Sequence, residues 1–283
     1  MSNNRKIYQV NGKTFQAKID LDKYYTPIDT AEYCINKTYE IIGRENIIEI
    51  IEPSAGDGSF SLQIPNCIAI DIEPQHESIT KQDFFTLHLP YKKGRLIIGN
   101  PPFGRSGNLA IQFYKHSIQM AEYVAFILPA GQYNNTYSCY EYNLIHSELI
   151  DCNNFIHLND QVKLTFNIYK RPANGFNKKK KYKFEDFELY LIRRRKNNGR
   201  LYRDDKYDFR IGRYGASCGR ILNEGEEYVD EVCIYIYNED IKEEFIELFR
   251  DKKILEDYYM TSTPSLQLWQ IYEYILRHMP GIK

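Results

Sequence analysis

Leu96-Ile97-Ile98-Gly99-Asn100-Pro101-Pro102-Phe103 is the stretch from which the fold of this 283-residue chain can be read. A short apolar run ending in Gly reads as a buried strand. The Asn, two prolines and aromatic that follow cannot continue it, so they form a rigid loop at the strand's carboxyl end. Open α/β sheets bind their ligands along that edge. The loop offers a side-chain amide oxygen from Asn100, carbonyls from Pro101 and Pro102 with no competing N–H, and a flat ring from Phe103. Those are the parts needed to hold a planar amine and stack its ring.

Working outward, Ile47 to Ile51 reads as the first strand of the same sheet. It runs into Glu52-Pro53-Ser54-Ala55-Gly56-Asp57-Gly58-Ser59-Phe60, an acid and a Gly-x-Gly turn leading to an expected helix. Glycines there let the backbone turn sharply and approach a ligand closely. Ile68 to Asp71 reads as a second strand, ending in a carboxylate 19 residues after Glu52. An acid near that distance can bind ribose hydroxyls, so the ligand is nucleotide-like. A pyrophosphate site wants bare N–H groups and no nearby carboxylate, whereas this turn carries Glu52 and Asp57, so the ligand should bear a positive charge or an amine. Gln82-Asp83-Phe84-Phe85 places an acid and two aromatics where a third strand should end. That group suits an adenine, although Asp83 taken alone reads as a turn cap.

The remaining elements complete the pattern. Asn11-Gly12 marks a hairpin in a short lead-in. Thr26 reads as the N-cap, and Pro27 as the first residue, of a helix over Ile28 to Ile42. Leu109 to Met120 and Tyr140 to Ile150 read as helices, and Tyr123 to Leu128, Cys152 to Leu158 and Thr165 to Tyr169 as strands. Alternating strands and helices predict an α/β fold with a mainly parallel, doubly wound sheet covered on both faces. The expected domains are a lead-in over 1–23, a ligand-binding domain over 24–171 and a smaller α+β region over 172–283. That last region has strands at Phe187 to Ile192 and Val232 to Tyr237 and helices near Ile241 to Phe249 and Ser265 to Arg277.

Charge is unevenly spread. Lys163 to Arg220 holds 18 Lys+Arg against 6 Asp+Glu, a local +12, so with 37 Lys+Arg and 38 Asp+Glu in the whole chain the remainder carries −13. Such a segment is either a solvated face or the seat of a polyanion. Its candidate phosphate contacts are Lys178, Lys179, Lys180, Lys181, Arg193, Arg194, Arg195, Arg210, Arg213 and Arg220. Asp208 to Arg220 in particular interleaves Arg, Gly and an aromatic as phosphate-gripping, base-packing segments do. The six cysteines include no Cys-x-x-Cys pair, and the histidines no metal-ligand spacing, so they read as reduced thiols with no metal. The N-terminus lacks an apolar signal region, and no run approaches the ~20 residues of a membrane span. The expectation is a soluble, cytoplasmic protein with no membrane partner.

With these residues in place, the chain resembles the S-adenosylmethionine-dependent N6-adenine DNA methyltransferases of restriction-modification systems. The motif order, cofactor first, Asn-Pro-Pro-Phe next and target recognition last, is similar to that of their gamma class. The resemblance covers residues 24–171 well and the remainder loosely. It implies a Rossmann-like, seven-stranded methyltransferase sheet with S-adenosylmethionine as cofactor. In the cofactor site it implies Tyr25 and Thr26 near the methionine carboxylate, and Glu52, Pro53, Ala55 and Gly56 around the amino-acid end. Asp71 would lie on the ribose, Ile72 over the adenine, and Asp83 and Phe84 at its N6 edge. The implied reaction methylates N6 of an adenine flipped from double-stranded DNA, with Asn100, Pro101, Pro102 and Phe103 catalytic. A second aromatic usually covers the base's other face. Here the matching position falls at Leu158-Asn159, so Phe103, Phe155 and Phe166 are the stacking candidates. Implied partners are the DNA, located at the nucleoid, and, given so small a recognition region, a second subunit, a second copy or an associated restriction endonuclease. The Asn-Pro-Pro-Phe motif is shared with RNA adenine-N6 and protein glutamine methyltransferases. A catalytically silent nucleic-acid-binding subunit is the alternative outside enzymes.

Overall fold

The computed structural model describes residues 5–10, 13–18, 25–150, 163–193, 207–226, 230–250, 253–258 and 264–283. Phe155, Arg194, Arg195 and the strand expected over Cys152 to Leu158 lie outside them. The chain divides into two compact units, Met1–Lys179 and Lys180–Lys283.

In the first unit β1 (Arg5–Val10) and β2 (Lys13–Lys18) form an antiparallel hairpin, with Val10 opposite Lys13. Helix α1 (Ile28–Ile42) follows, then β3 (Glu49–Glu52), β4 (Ile68–Asp71), β5 (Thr80–Lys81) and β6 (Lys92–Gly99). Helix α2 (Asn108–Ser117) leads to β7 (Ala121–Pro129), β8 (Asn143–Ile150) and β9 (Leu164–Lys170). The seven-stranded sheet has the order β5-β4-β3-β6-β7-β9-β8. It is parallel except for β9, which runs antiparallel between β7 and β8. This is the Rossmann-like, mainly parallel, doubly wound sheet that the alternating pattern predicts.

Parallel strands covered on both faces are apolar along their whole length, and β6, β7 and β9 are buried almost throughout. Ile51, Leu96, Ile97, Val124, Phe126 and Phe166 lie in the resulting core, with Ala31, Cys34 and Ile35 of α1 and Ala110, Phe113 and Tyr114 of α2. Strand order reverses between the neighbours β3 and β6, and the crevice at such a switch point is where doubly wound sheets take ligands. Both motif loops emerge there.

Three expectations need correction. Tyr140 to Ile150 is not a helix but strand β8. Its exposed Ile145 and Leu149, four residues apart, imitate helical spacing on an edge strand with no fully buried face. No helix follows the Gly-x-Gly turn; Ser61–Gln63 forms a single 3-10 turn. Pro65 disfavours helical backbone at Ile64, which leaves too few residues for a helix. Thr26 is not the N-cap of α1: Pro27 takes that place and the helix begins at Ile28.

The second unit is α+β. Strands β10 (Phe187–Arg193), β11 (Phe209–Gly212) and β12 (Asp230–Ile236) form an antiparallel sheet ordered β10-β12-β11. Helices α3 (Lys242–Arg250) and α4 (Leu268–His278) close its core through Phe245, Phe249, Ile271 and Ile275.

Candidate active site

The two loops at the switch point meet around Asn100. This residue ends the run of β6, in which Gly99 takes a φ of 152°, and it is held from two sides. Its Nδ2 donates to Thr26 Oγ1 at 3.1 Å, and its backbone carbonyl accepts from Ser54 Oγ at 3.3 Å. Thr26 is only 7% exposed, so its hydroxyl is a fixed interior partner rather than a solvent-facing cap. An amide whose nitrogen is tied to Thr26 turns its oxygen the other way.

The acidic turn is built around two carboxylates. Asp71, at the end of β4, accepts from Gly56 N at 2.8 Å and from Glu73 N at 2.7 Å, so it ties the Gly-x-Gly turn to the loop after the second strand. Gly56 needs its glycine: φ is +54°, and a Cβ there would stand 3.4 Å from Tyr25 Cε1, because the Tyr25 ring packs over the turn. Glu52 is 2% exposed and accepts from Ser61 N at 2.8 Å. Its carboxyl is raised to about 8, chiefly by burial, with the charges of Asp57 and Asp71 adding to the rise and hydrogen bonds from Ser61 opposing it. Burial, with Glu52 beside it, likewise raises the thiol of Cys67 to about 12. Asp57 itself accepts from Ser59 N and Oγ. Pro53 and Ala55 are buried, Ala55 N donating to Ile70 O, and Ile72 is half-buried beyond β4.

At the third strand's end, Asp83 accepts from Phe85 N at 3.0 Å and caps a 3-10 turn over Phe84–Thr86. Phe84 is buried, its ring stacked on Phe113 at 5.2 Å and edge-on to His116 at 4.8 Å. Its ring therefore serves the core, leaving backbone and Asp83 at the surface of this loop.

Pro101 is buried and Pro102 half-buried. Phe103 is 8% exposed and packs into the core, while its carbonyl accepts from Leu109 N at 3.0 Å and Ala110 N at 3.4 Å at the start of α2. The link between is tightly wound: Gly104, Ser106 and Gly107 all have positive φ, and a Cβ on Gly104 would fall 2.7 Å from Leu109 Cβ. Of the other stacking candidates, Phe166 is fully buried in β9, opposite Ile127 and Glu148, so it cannot face a base without opening the core.

Two supporting residues escaped the sequence reading. Ser54 sits inside the Gly-x-Gly motif but points across to Asn100. Asn167, in the middle of apolar β9, donates to Gln132 O at 2.7 Å and Tyr169 OH at 2.9 Å, and accepts from Ser147 and Thr165. That buried, saturated amide anchors the loop after β7, the strand next to β6. A lone Asn within Leu164 to Tyr169 is the signal that could have found it.

The expected phosphate contacts divide. Lys178, Lys179, Lys180 and Lys181 are exposed, with Lys179 Nζ 3.9 Å from the Tyr137 ring centroid and Lys180 paired to Glu273 at 2.6 Å. Arg193 lies at the end of β10 opposite Asp230. The buried Arg210 and Arg213 are corrected to structural roles, whereas Arg220 is half-exposed and keeps its place as a candidate. Arg210 is 3% exposed, paired with fully buried Glu231 at 2.9 Å and bonded to Asn223 O. Arg213 binds Asp230 at 3.2 Å and Leu266 O, and Arg220 forms a two-pronged pair with Glu226. The Arg-Gly-aromatic stretch is strand β11 and its turn, using guanidinium groups to satisfy its own unit.

No family model and no curated protein matches this chain. Solved structures similar in shape include a Pyrococcus horikoshii protein put forward as an RNA methyltransferase, with 14% identity, 55% of this chain and 89% of that one covered, and a TM-score of 0.41. Another, from Listeria monocytogenes, is put forward as a class I S-adenosylmethionine-dependent methyltransferase, with 12% identity, 58% and 65% covered, and a TM-score of 0.42. The M. jannaschii tRNA m1G37 methyltransferase matches at 13% identity, 60% and 56% covered, and a TM-score of 0.35. At these identities and scores the likeness carries no argument about activity, and the fold rests on the strand order itself.

Proposed function

We propose that this chain binds S-adenosylmethionine and transfers its methyl group to the N6 amine of an adenine flipped out of a specific site in double-stranded DNA. The observation that carries this reading is the clamped Asn100 at the carboxyl end of β6, beside the acidic glycine turn of β3. The residues there fit the cofactor. Gly56, with Asp71 bonded beneath it, gives a turn that a nucleoside can approach closely. The buried Glu52 carboxyl lies in the same turn, where a ligand bearing positive charge would draw it into its ionised form.

When bound, the cofactor supplies an electrophilic methyl on a sulfonium. The chain's own task is to make a poor nucleophile ready for it. Adenine N6 shares its lone pair with the ring. If the Asn100 amide oxygen and the Pro101 carbonyl accept its two hydrogens, the nitrogen is drawn toward tetrahedral geometry. Positioning of this kind is worth ~7–11 kcal/mol over free reactants and requires no strong base. Exposed Lys178 to Lys181, with Arg193, Arg194, Arg195 and Arg220, are the groups proposed to hold phosphates, and the base leaves its stack to reach the loop.

The deciding experiment incubates the protein with labelled S-adenosylmethionine and either unmethylated genomic DNA or total RNA, then digests each to nucleosides. Label in N6-methyldeoxyadenosine from the DNA supports the reading. Label only in RNA moves the same catalytic loop to an RNA adenine. Cofactor binding without product on either makes the chain a silent nucleic-acid-binding subunit.

A further inference from the structure

We infer that the amino edge of the seven-stranded sheet, opposite the edge that carries Asn100, is a binding surface for a single-stranded stretch of nucleic acid. The inference rests on the proposed function for the class of partner, and stands apart from the chemistry at Asn100.

Strands β6, β7 and β8 start at Lys92, Ala121 and Asn143, and the antiparallel β9 ends at Lys170, which lies opposite both Tyr123 and Asn143, so these residues share one edge. The run of β6 from Lys92 to Gly99 sets that edge about 23 Å from the Asn100 loop. The chain leaving β9 stays there. Arg171 N donates to Glu122 O, Asn177 N to Glu141 O and Asn177 Nδ2 to Asn143 Oδ1, each at 2.9 Å. Lys93, Lys170, Lys178 and Lys179 are exposed, and among the described residues none of them is paired with a carboxylate. The neighbouring carboxylates are engaged elsewhere: Glu49 with Lys92 and Arg95, Glu122 with Gly94 N at 2.7 Å, and Glu141 with Lys115 at 3.3 Å. A surplus of cations describes a solvated face as well as a site, and the rings set among them decide. Arg171 Cζ lies 4.3 Å from the Tyr91 centroid and 4.7 Å from that of Phe176, yet both rings are 42% exposed. Lys170 Nζ lies 5.6 Å from the Tyr123 centroid, and Lys179 Nζ 3.9 Å from that of Tyr137. Exposed rings braced by a guanidinium can stack on bases while the lysines beside them hold phosphates, which is the combination that single strands use. Bases in a duplex are stacked on one another and closed to such rings. A strand gripped here is therefore a different stretch from the one whose base enters the Asn100 loop.

Two double variants of the full chain separate the charges from the rings. Lys93→Gln with Lys170→Gln removes two exposed cations, and Tyr91→Leu with Phe176→Leu keeps the apolar cover over Arg171 while removing the ring faces; thermal melts establish that both fold. Fluorescence anisotropy then follows labelled single strands of DNA and of RNA, about 12 nucleotides long, and a DNA duplex of the same length, at several salt concentrations. The expected result is that the wild type binds the single strands more tightly than the duplex. The glutamine variant should lower the salt slope for single strands by about 1.4. The leucine variant should weaken single-strand binding about 10- to 100-fold with its salt slope unchanged. S-adenosylmethionine affinity, read by calorimetry, should stay within about twofold in both, since the substitutions lie at the far edge of the sheet. An unchanged salt slope in the glutamine variant, an unchanged single-strand affinity in the leucine variant, or a duplex bound as tightly as the single strands overturns the inference. A wild-type chain that binds single strands in this way but transfers no methyl to DNA or RNA overturns the reading of Asn100 instead and leaves this surface standing.

Discussion

Raising the pH from about 6 to about 7 should tighten S-adenosylmethionine binding roughly tenfold, through Glu52. Its carboxyl, ordinarily near 4.5, is raised to about 8 by burial. About one molecule in a hundred carries it ionised at pH 6 and about one in ten at pH 7, so ionising it at pH 7 costs about 1.4 kcal/mol. A cationic ligand that requires the ionised form captures only that fraction, and its apparent Kd falls as the fraction grows. The groups facing Glu52 are Asp57 and Asp71, whose charges raise it, and Cys67, whose thiol is itself raised to about 12 and does not titrate in this range. Below about 7.7 an α-amine such as the ligand's stays protonated and adds no trend of its own. Calorimetry in two buffers of different ionisation heat should also register the release of nearly one proton per ligand bound. Glu52→Gln should flatten the pH dependence and abolish the release. A flat profile in the wild type, or an unchanged slope in Glu52→Gln, refutes the reasoning.

The same carboxyl predicts stability. Its folded value lies above its unfolded one, so its stabilising share is complete below about 4.5 and is lost as pH rises through about 8; Glu52→Gln should melt higher than wild type near pH 9 by thermal denaturation. Asn100→Ala should abolish methyl transfer in a labelled-methyl assay while calorimetry still finds cofactor binding, and retained turnover would remove Asn100 from the chemistry. Asp71→Ala should weaken cofactor binding and, by freeing the Gly56 and Glu73 amides, cost about 1.5–3 kcal/mol in denaturant titration; unchanged values in both would sink its double role. Arg210→Ala should cost about 3–5 kcal/mol by taking the guanidinium away from fully buried Glu231, whereas replacing Lys178 to Lys181 by Gln should leave stability unchanged, weaken nucleic-acid binding and lower its salt slope by up to about four. Filter binding at several salt concentrations would expose the opposite pattern.

What could be read from the sequence was whatever depends on local pattern. Strands β4, β6 and β7 each contain a continuous apolar run whose end is marked by Asp71, Gly99 or Pro129, and the α1 spacing is regular, so periodicity alone locates them. Strand β8 was hidden because an edge strand exposes apolar side chains that a central one would bury. Thr26 illustrates the deeper limit. Its local preference is to cap a helix, and a contact 74 positions away along the chain overrides it. Arg210 and Arg213 show the same limit: their carboxylate partners Glu231 and Asp230 arrive from β12, after a turn the local composition does not announce. Charge counted along a chain cannot distinguish a guanidinium waiting for phosphate from one already paired.

Phe103 belongs to the interior and to the root of α2 together, since its ring is packed in the core and its carbonyl accepts the first amides of the helix. If a nucleobase is to lie on that ring, the loop must give way, and at Gly104 it is wound so tightly that no side chain fits. Under the proposed function, selection would then act mechanically before any base edge is read. A base already hanging loosely from its helix would release the latch, and one held firmly by its neighbours would not. The stiffness of the nucleic acid around the target, as much as its letters, would decide where such a chain does its work.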